Sequence, residues 1–108
     1  MDTSPAPLTF IPDVRAGAVV EPGRLGHTRV LNSPGVRVVM LTFEAGHVLT
    51  QHTAPTTLLM QALDGCLRVT AGGKVTRLVP GALLRLDAGL PHEVEALEES
   101  RLMLTMLG

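Results

Sequence analysis

The chain has very few aromatic side chains. Of its 108 residues only Phe10 and Phe43 are aromatic, and the net charge is −1. Proteins that bind single-stranded nucleic acids stack bases on aromatic side chains, and general nucleic-acid binders present a basic face. The sequence therefore predicts no nucleic-acid partner, and its core must be built from leucine, valine, alanine and methionine.

Cysteine is scarce as well. Cys66 is the only one, so an intrachain disulfide is impossible, and a small buried hydrophobic side chain is its expected role. No uninterrupted apolar run approaches the roughly 20 residues that a membrane-spanning helix needs. The N-terminus has neither a basic start nor a long apolar segment, so it lacks the pattern of a signal peptide. We therefore expect a cytoplasmic protein with no membrane association.

Turn-forming residues are abundant. The 11 glycines and 8 prolines separate short apolar and β-branched segments. Many short strands at this spacing predict an all-β sandwich or barrel, and Gly72-Gly73 between two alternating segments predicts a β-hairpin. Residues 1–17 are proline-rich and lack a strand pattern. They are predicted to form an N-terminal arm before a single domain of residues 18–108.

Two predicted strands are apolar on both faces. In the segment 36–44, Leu41 and Phe43 share one face while Met40 lies on the other, and residues 101–107 show the same pattern. Such strands need cover on both faces, and a domain of this size has a single core. We therefore expect a homodimer in which part of a sheet face forms the interface.

Two glycine–histidine spacings carry further information. In the first, five residues separate Gly46 from His52, and Gly65 closes the following segment; in the second, GALLRLDAGLPH, residues 81–92, end on His92. Together they resemble the two-part motif of the cupin family. Its first part is Gly, five residues, His-x-His, three or four residues, Glu, six residues, Gly. Its second part is Gly, five residues, Pro-x-Gly, two residues, His.

The resemblance covers about residues 42–96, with Asp87 in place of the usual proline. It implies an all-β double-stranded β-helix, the jelly-roll cupin barrel, of the small single-domain type known as the cupin 2 conserved barrel. It also implies a divalent metal, commonly Zn, Ni, Fe or Mn, held by three histidines and a carboxylate. Residues two apart on a strand face the same way, which is why His-x-His can supply two of these ligands.

Only half of the implied ligand set is present. His52 and His92 stand at two positions, whereas Ala54 replaces the second histidine and Leu58 replaces the glutamate. Gln61 is a candidate replacement for the missing ligand. It lies three residues after Leu58 and so on the opposite face of a regular strand, and a bulge would be needed to bring it to the site. Two interpretations stay open. One is a divalent metal bound by His52 and His92, with or without Gln61 as a third ligand. The other is no metal and two histidines hydrogen-bonded to each other or to the backbone.

We predict that the protein binds a small molecule in the barrel pocket. Ala54, Leu58 and Met60 are expected to line this pocket beside the two histidines, which is the general composition of a small-molecule site. The alternative is a metal-dependent enzyme of the dioxygenase or isomerase class with a non-standard ligand set. A third possibility is a purely structural protein in which both histidines are ordinary core residues. No nucleophile accompanies the histidines, so catalytic residues are not assigned.

Overall fold

The computed structural model describes residues 7–108, which form nine β-strands in two sheets. The strand bounds are β1 Gly26–Ser33, β2 Val36–Phe43, β3 Val48–His52, β4 Thr57–Asp64, β5 Leu67–Ala71, β6 Lys74–Leu78, β7 Leu84–Leu86, β8 His92–Ala96 and β9 Ser100–Leu107. Within this part of the chain no helix is long and apolar enough to cross a membrane.

The strand order is that of a jelly roll. One sheet has the order β1-β2-β9-β4-β7 and the other has the order β3-β8-β5-β6. All neighbouring strands are antiparallel. From β2 onward, every connection crosses between the sheets except the one between β5 and β6. This arrangement confirms the predicted all-β jelly-roll fold.

The exception is the hairpin that the sequence predicts. Ala71 pairs with Lys74, and the intervening Gly72 and Gly73 have φ angles of 57° and 73°. A two-residue turn of this kind requires positive φ at both central residues, which glycine adopts without strain.

The core lies between the two sheets and is almost entirely aliphatic. Phe43 is completely buried there, whereas Phe10 is 75% exposed. The buried core cluster consists of Val39, Leu41, Phe43, Leu58, Met60, Ala62, Leu67, Val69, Leu78, Leu86, Val94, Ala96, Leu102 and Leu104. Side chains of alternate residues on each strand supply it, as expected for strands that face a core on one side.

The outer face of β2 is covered by the chain itself. Met40 and Thr42 point away from the core and are nevertheless buried. The segment before β1 supplies the cover: the Thr42 hydroxyl donates to the Val19 carbonyl at 3.2 Å, and Arg101 Nε donates to the Ala18 carbonyl at 2.7 Å. The two-faced strand pattern therefore has a partial explanation within one chain, and the homodimer stays a prediction.

The predicted N-terminal arm is described only in part. Residues 1–6 lie outside the described residues, and residues 7–17 contain no strand. Leu8 and Phe10 are 76% and 75% exposed, so this segment is not packed into the core. The division into an arm of residues 1–17 and a domain of residues 18–108 stays a prediction.

Candidate functional site

Two neighbouring strands bring the motif histidines together. His52 ends β3 and His92 begins β8, and the two residues are direct partners in the antiparallel pairing. Their Nε2 atoms are 3.0 Å apart, and their ring centroids are 4.1 Å apart. The spacing of the two motif parts thus places both imidazoles at one point, as the resemblance implies.

The remaining ring nitrogens define the proton content of this pair. Nδ1 of His52 lies 3.1 Å from the Thr50 carbonyl, and Nδ1 of His92 lies 3.0 Å from the Leu90 carbonyl. A carbonyl only accepts, so each Nδ1 must donate. The Nε2–Nε2 hydrogen bond then needs one further proton. All three hydrogen bonds form together only when one ring is an imidazolium and the other is neutral.

Burial favours the neutral form of His92. His92 is 2% exposed, and this desolvation lowers the pKa of His92. The hydrogen bond to Leu90 opposes that shift, and a positive charge on His52 adds to it. His92 is therefore favoured as the acceptor when the Nε2–Nε2 hydrogen bond forms.

A cavity of about 320 Å³ opens between the sheets beside His52. Its walls are mainly leucine, valine, alanine and methionine side chains, and His27 and His52 are its two ionisable lining residues. His92 is not part of the lining, so it contacts His52 on the side away from the cavity. The result is an apolar cavity with an oriented imidazole in its wall.

The other predicted site residues divide into two groups. Ala54 and Leu58 line the cavity. Met60 is 1% exposed within the core and does not line it, which differs from its expected place. Gln61 pairs with Met103 on the opposite face of β4 from Leu58, so its amide points away from the histidines. The bulge needed to bring Gln61 to them is absent at this point of the described strand, because the register shifts only after Ala62.

The two histidines do not complete the ligand set that the cupin resemblance implies. Two nitrogens 3.0 Å apart could both bind one ion at about 2.0–2.1 Å. Ala54 and Leu58 supply no further ligand, and no group of three or more His, Cys, Asp or Glu side chains suited to a metal occurs among residues 7–108. Catalytic zinc sites use three protein ligands and structural sites use four. The residues present therefore do not fit a firmly held metal ion.

One cavity residue has no place in the cupin-like spacing. His27 lies on β1 opposite Leu41, a core residue of β2, and so faces inward. A sequence clue exists, since alternation along residues 26–29 puts His27 and Arg29 on one face. Only the pairing with β2 shows that this face is the inner one.

Comparisons with known proteins agree with the fold. No family model and no curated protein matches the sequence. A cupin superfamily protein from Desulfitobacterium hafniense has a TM-score of 0.80 at 15% identity, covering 98% of this chain and 95% of that chain. An RmlC-like cupin from Desulfovibrio desulfuricans has a TM-score of 0.75 at 25% identity, with coverages of 82% and 87%. A cupin 2 conserved barrel domain protein from Leptotrichia buccalis has a TM-score of 0.77 at 26% identity, with coverages of 86% and 46%. The chain has the cupin fold.

Proposed function

We propose that this cupin binds a small, largely apolar organic molecule in the cavity between its sheets. The observation that carries the proposal is the pair of residues at the missing ligand positions. Ala54 and Leu58 both line the cavity of about 320 Å³, where a histidine and a carboxylate would otherwise stand. Small-molecule sites are typically concave, about 300–1,000 Å³ in volume and mainly apolar, with a few oriented polar groups.

His52 is the polar group that we assign to ligand recognition. Its ring is fixed by two hydrogen bonds, one to the Thr50 carbonyl and one to His92. Both ring nitrogens are engaged in these hydrogen bonds, so a ligand contacts the ring through its carbon edge and face. A ring held in this way loses little rotamer freedom when a ligand packs against it, which favours binding. His92 is a positioning residue in this scheme, because it contacts His52 and does not line the cavity.

A metal-dependent enzyme is the second candidate. It is favoured by one observation, the convergence of the His52 and His92 Nε2 atoms at 3.0 Å. It also requires ligands that the described part of the chain does not supply at this point. We therefore rank it below metal-independent binding.

The first test is a titration with small apolar probes, such as hexan-1-ol and benzyl alcohol, followed by amide chemical shifts in NMR spectra. We expect shifts concentrated at the cavity wall, around Ala54 and Leu58. Ala54→Phe fills the cavity and should abolish them. Val75→Phe is the matched control, because Val75 is 65% exposed on β6 and lies outside the lining.

Two results would contradict the proposal. Shifts scattered over the surface would mean that the probes do not enter the cavity. Cavity shifts that survive in a folded Ala54→Phe variant would mean that the binding site lies elsewhere.

A further inference from the structure

Basic side chains occupy inward-facing positions at the open end of the five-stranded sheet. His27 and Arg29 of β1 pair with Leu41 and Val39 of β2, which are core residues. Directly opposed residues of an antiparallel pair extend to the same side of the sheet. His27 and Arg29 therefore point to the inner side.

Arg37 belongs to the same face. It lies two residues before Val39 on β2, and residues two apart on a strand share a face. Its partner on β9 is Met106, which lines the apolar cavity. Two arginines and one histidine thus continue the inner surface beyond the aliphatic core, at an open end where all three side chains are solvent-exposed.

These basic residues border the same space as the apolar cavity. They line an adjoining cleft of about 270 Å³. His27, Val39 and Met106 line both the cleft and the cavity, so the two form one continuous site. A ligand whose body lies beside Leu58 could extend to Arg29 and Arg37.

The ionisable side chains that line this continuous site are all basic. Neither lining contains an aspartate or a glutamate. Among the ion pairs of residues 7–108, none includes Arg29 or Arg37, although five other arginines of the chain are paired with carboxylates. The whole chain has a net charge of −1. Arg29 and Arg37 are therefore exposed side chains with no carboxylate partner among residues 7–108, and they are accessible to an anionic ligand.

We propose that the ligand is an organic carboxylate, with its apolar body in the cavity and its carboxylate held by Arg29 and Arg37. This inference rests on the proposed small-molecule function and specifies the class of ligand. The planar guanidinium group matches a carboxylate through two parallel hydrogen bonds, which makes arginine well suited to this role. His27 stands where the apolar and basic parts meet.

The test compares three probes with the same six-carbon chain and different head groups: hexanoate, hexan-1-ol and hexylammonium. Dissociation constants are measured from NMR titrations of the full chain. Hydrogen bonds to charged groups contribute enough for about a tenfold or larger gain in affinity. We therefore expect hexanoate to bind about tenfold more tightly than hexan-1-ol, and hexylammonium to bind more weakly than both.

The double variant Arg29→Gln/Arg37→Gln identifies the residues responsible. Hexanoate affinity should fall about tenfold, to that of hexan-1-ol, while hexan-1-ol affinity should not change. Arg77→Gln is the matched control, since Arg77 is an exposed strand arginine on β6 outside both linings. If the double variant does not fold, the salt dependence of the wild type replaces it: hexanoate binding should weaken with ionic strength, and hexan-1-ol binding should not.

The outcomes separate the two proposals. Equal cavity affinities for hexanoate and hexan-1-ol would overturn the carboxylate inference and leave small-molecule binding supported. Tight hexanoate binding that persists in the double variant would also overturn it. No binding of any probe would overturn both proposals.

Discussion

Restoring the two missing ligands should create a metal site in this barrel. The double variant Ala54→His/Leu58→Glu places a histidine and a carboxylate on residues that already line the cavity beside His52. With His92 behind it, the set becomes three histidines and one carboxylate. Such a set suits Zn, Ni, Fe or Mn.

The metal-free variant should be strongly destabilised. Leu58 is 2% exposed within the core cluster, and removing a buried leucine side chain costs about 2–5 kcal/mol. Burying a carboxylate without a partner adds to that cost. The sum is a large fraction of the roughly 5–15 kcal/mol by which a domain is stable.

Metal binding should reverse most of this loss. A ligand present at about 1,000 times its dissociation constant stabilises the folded state by about 4 kcal/mol. For a domain of this size, each kcal/mol corresponds to about 4–8 °C in Tm. We therefore expect Zn, Ni or Mn to raise the Tm of the variant by at least about 15 °C, and to leave the wild-type Tm unchanged.

The assay is thermal unfolding with and without each metal, together with elemental analysis of the dialysed protein. Ala54→His/Leu58→Gln is the matched control, because it keeps the volume and removes the carboxylate. A folded Ala54→His/Leu58→Glu variant that shows no metal-dependent Tm rise would refute the assignment of residues 54 and 58 to the ligand positions.

Three further predictions follow from the same site and sheets. Elemental analysis of the wild type should give far less than one first-row metal per chain, with no decrease in His52→Ala; a value near one that disappears in the variant would favour the metal-dependent enzyme. Because burial lowers the pKa of His92 below its usual 6.5, the unfolded state binds more protons near that pH, so the free energy of unfolding should fall as pH falls below about 6.5. Urea titrations at about pH 8, 6.5 and 5 should show this slope in the wild type and a weaker one in His92→Asn, and equal slopes would contradict the neutral role of His92. We also propose a homodimer through the outer face of the five-stranded sheet, where Leu59 and Met103 are half-buried. Light scattering should give the mass of a dimer for the wild type and of a monomer for Leu59→Arg/Met103→Arg. A monomeric wild type would exclude this interface.

The hairpin could be predicted because it depends on short-range sequence, and the histidine pair could be predicted from the resemblance to the cupin motif. Gly72 and Gly73 satisfy the φ requirement of a two-residue turn whatever surrounds them. His52 and His92 are 40 residues apart, and the resemblance to the two-part motif implies that they meet at one site, where they pair directly. The cover over Thr42 could not be predicted in the same way. It depends on hydrogen bonds from Thr42 to Val19 and from Arg101 to Ala18, and both link residues far apart in sequence.

The basic residues of the proposed site could not be assigned to it from the sequence. Alternation puts Arg29 on one face of β1, but a strand at the edge of a sheet commonly carries arginine on its solvent-exposed side. The register shift between Arg29 and Leu31 interrupts that alternation, so counting along β1 alone does not assign Asn32 to a face. The pairing with β2 resolves this, because Val39 and Arg37 stand opposite Arg29 and Asn32 and face the core side. An arginine on the core side of a strand indicates a ligand site only when it is known to border a cavity. In the proposed site, Ala54 and Leu58 provide no ligands for a cation, whereas Arg29 and Arg37 provide positive charge for an anion, so both features favour the same class of ligand.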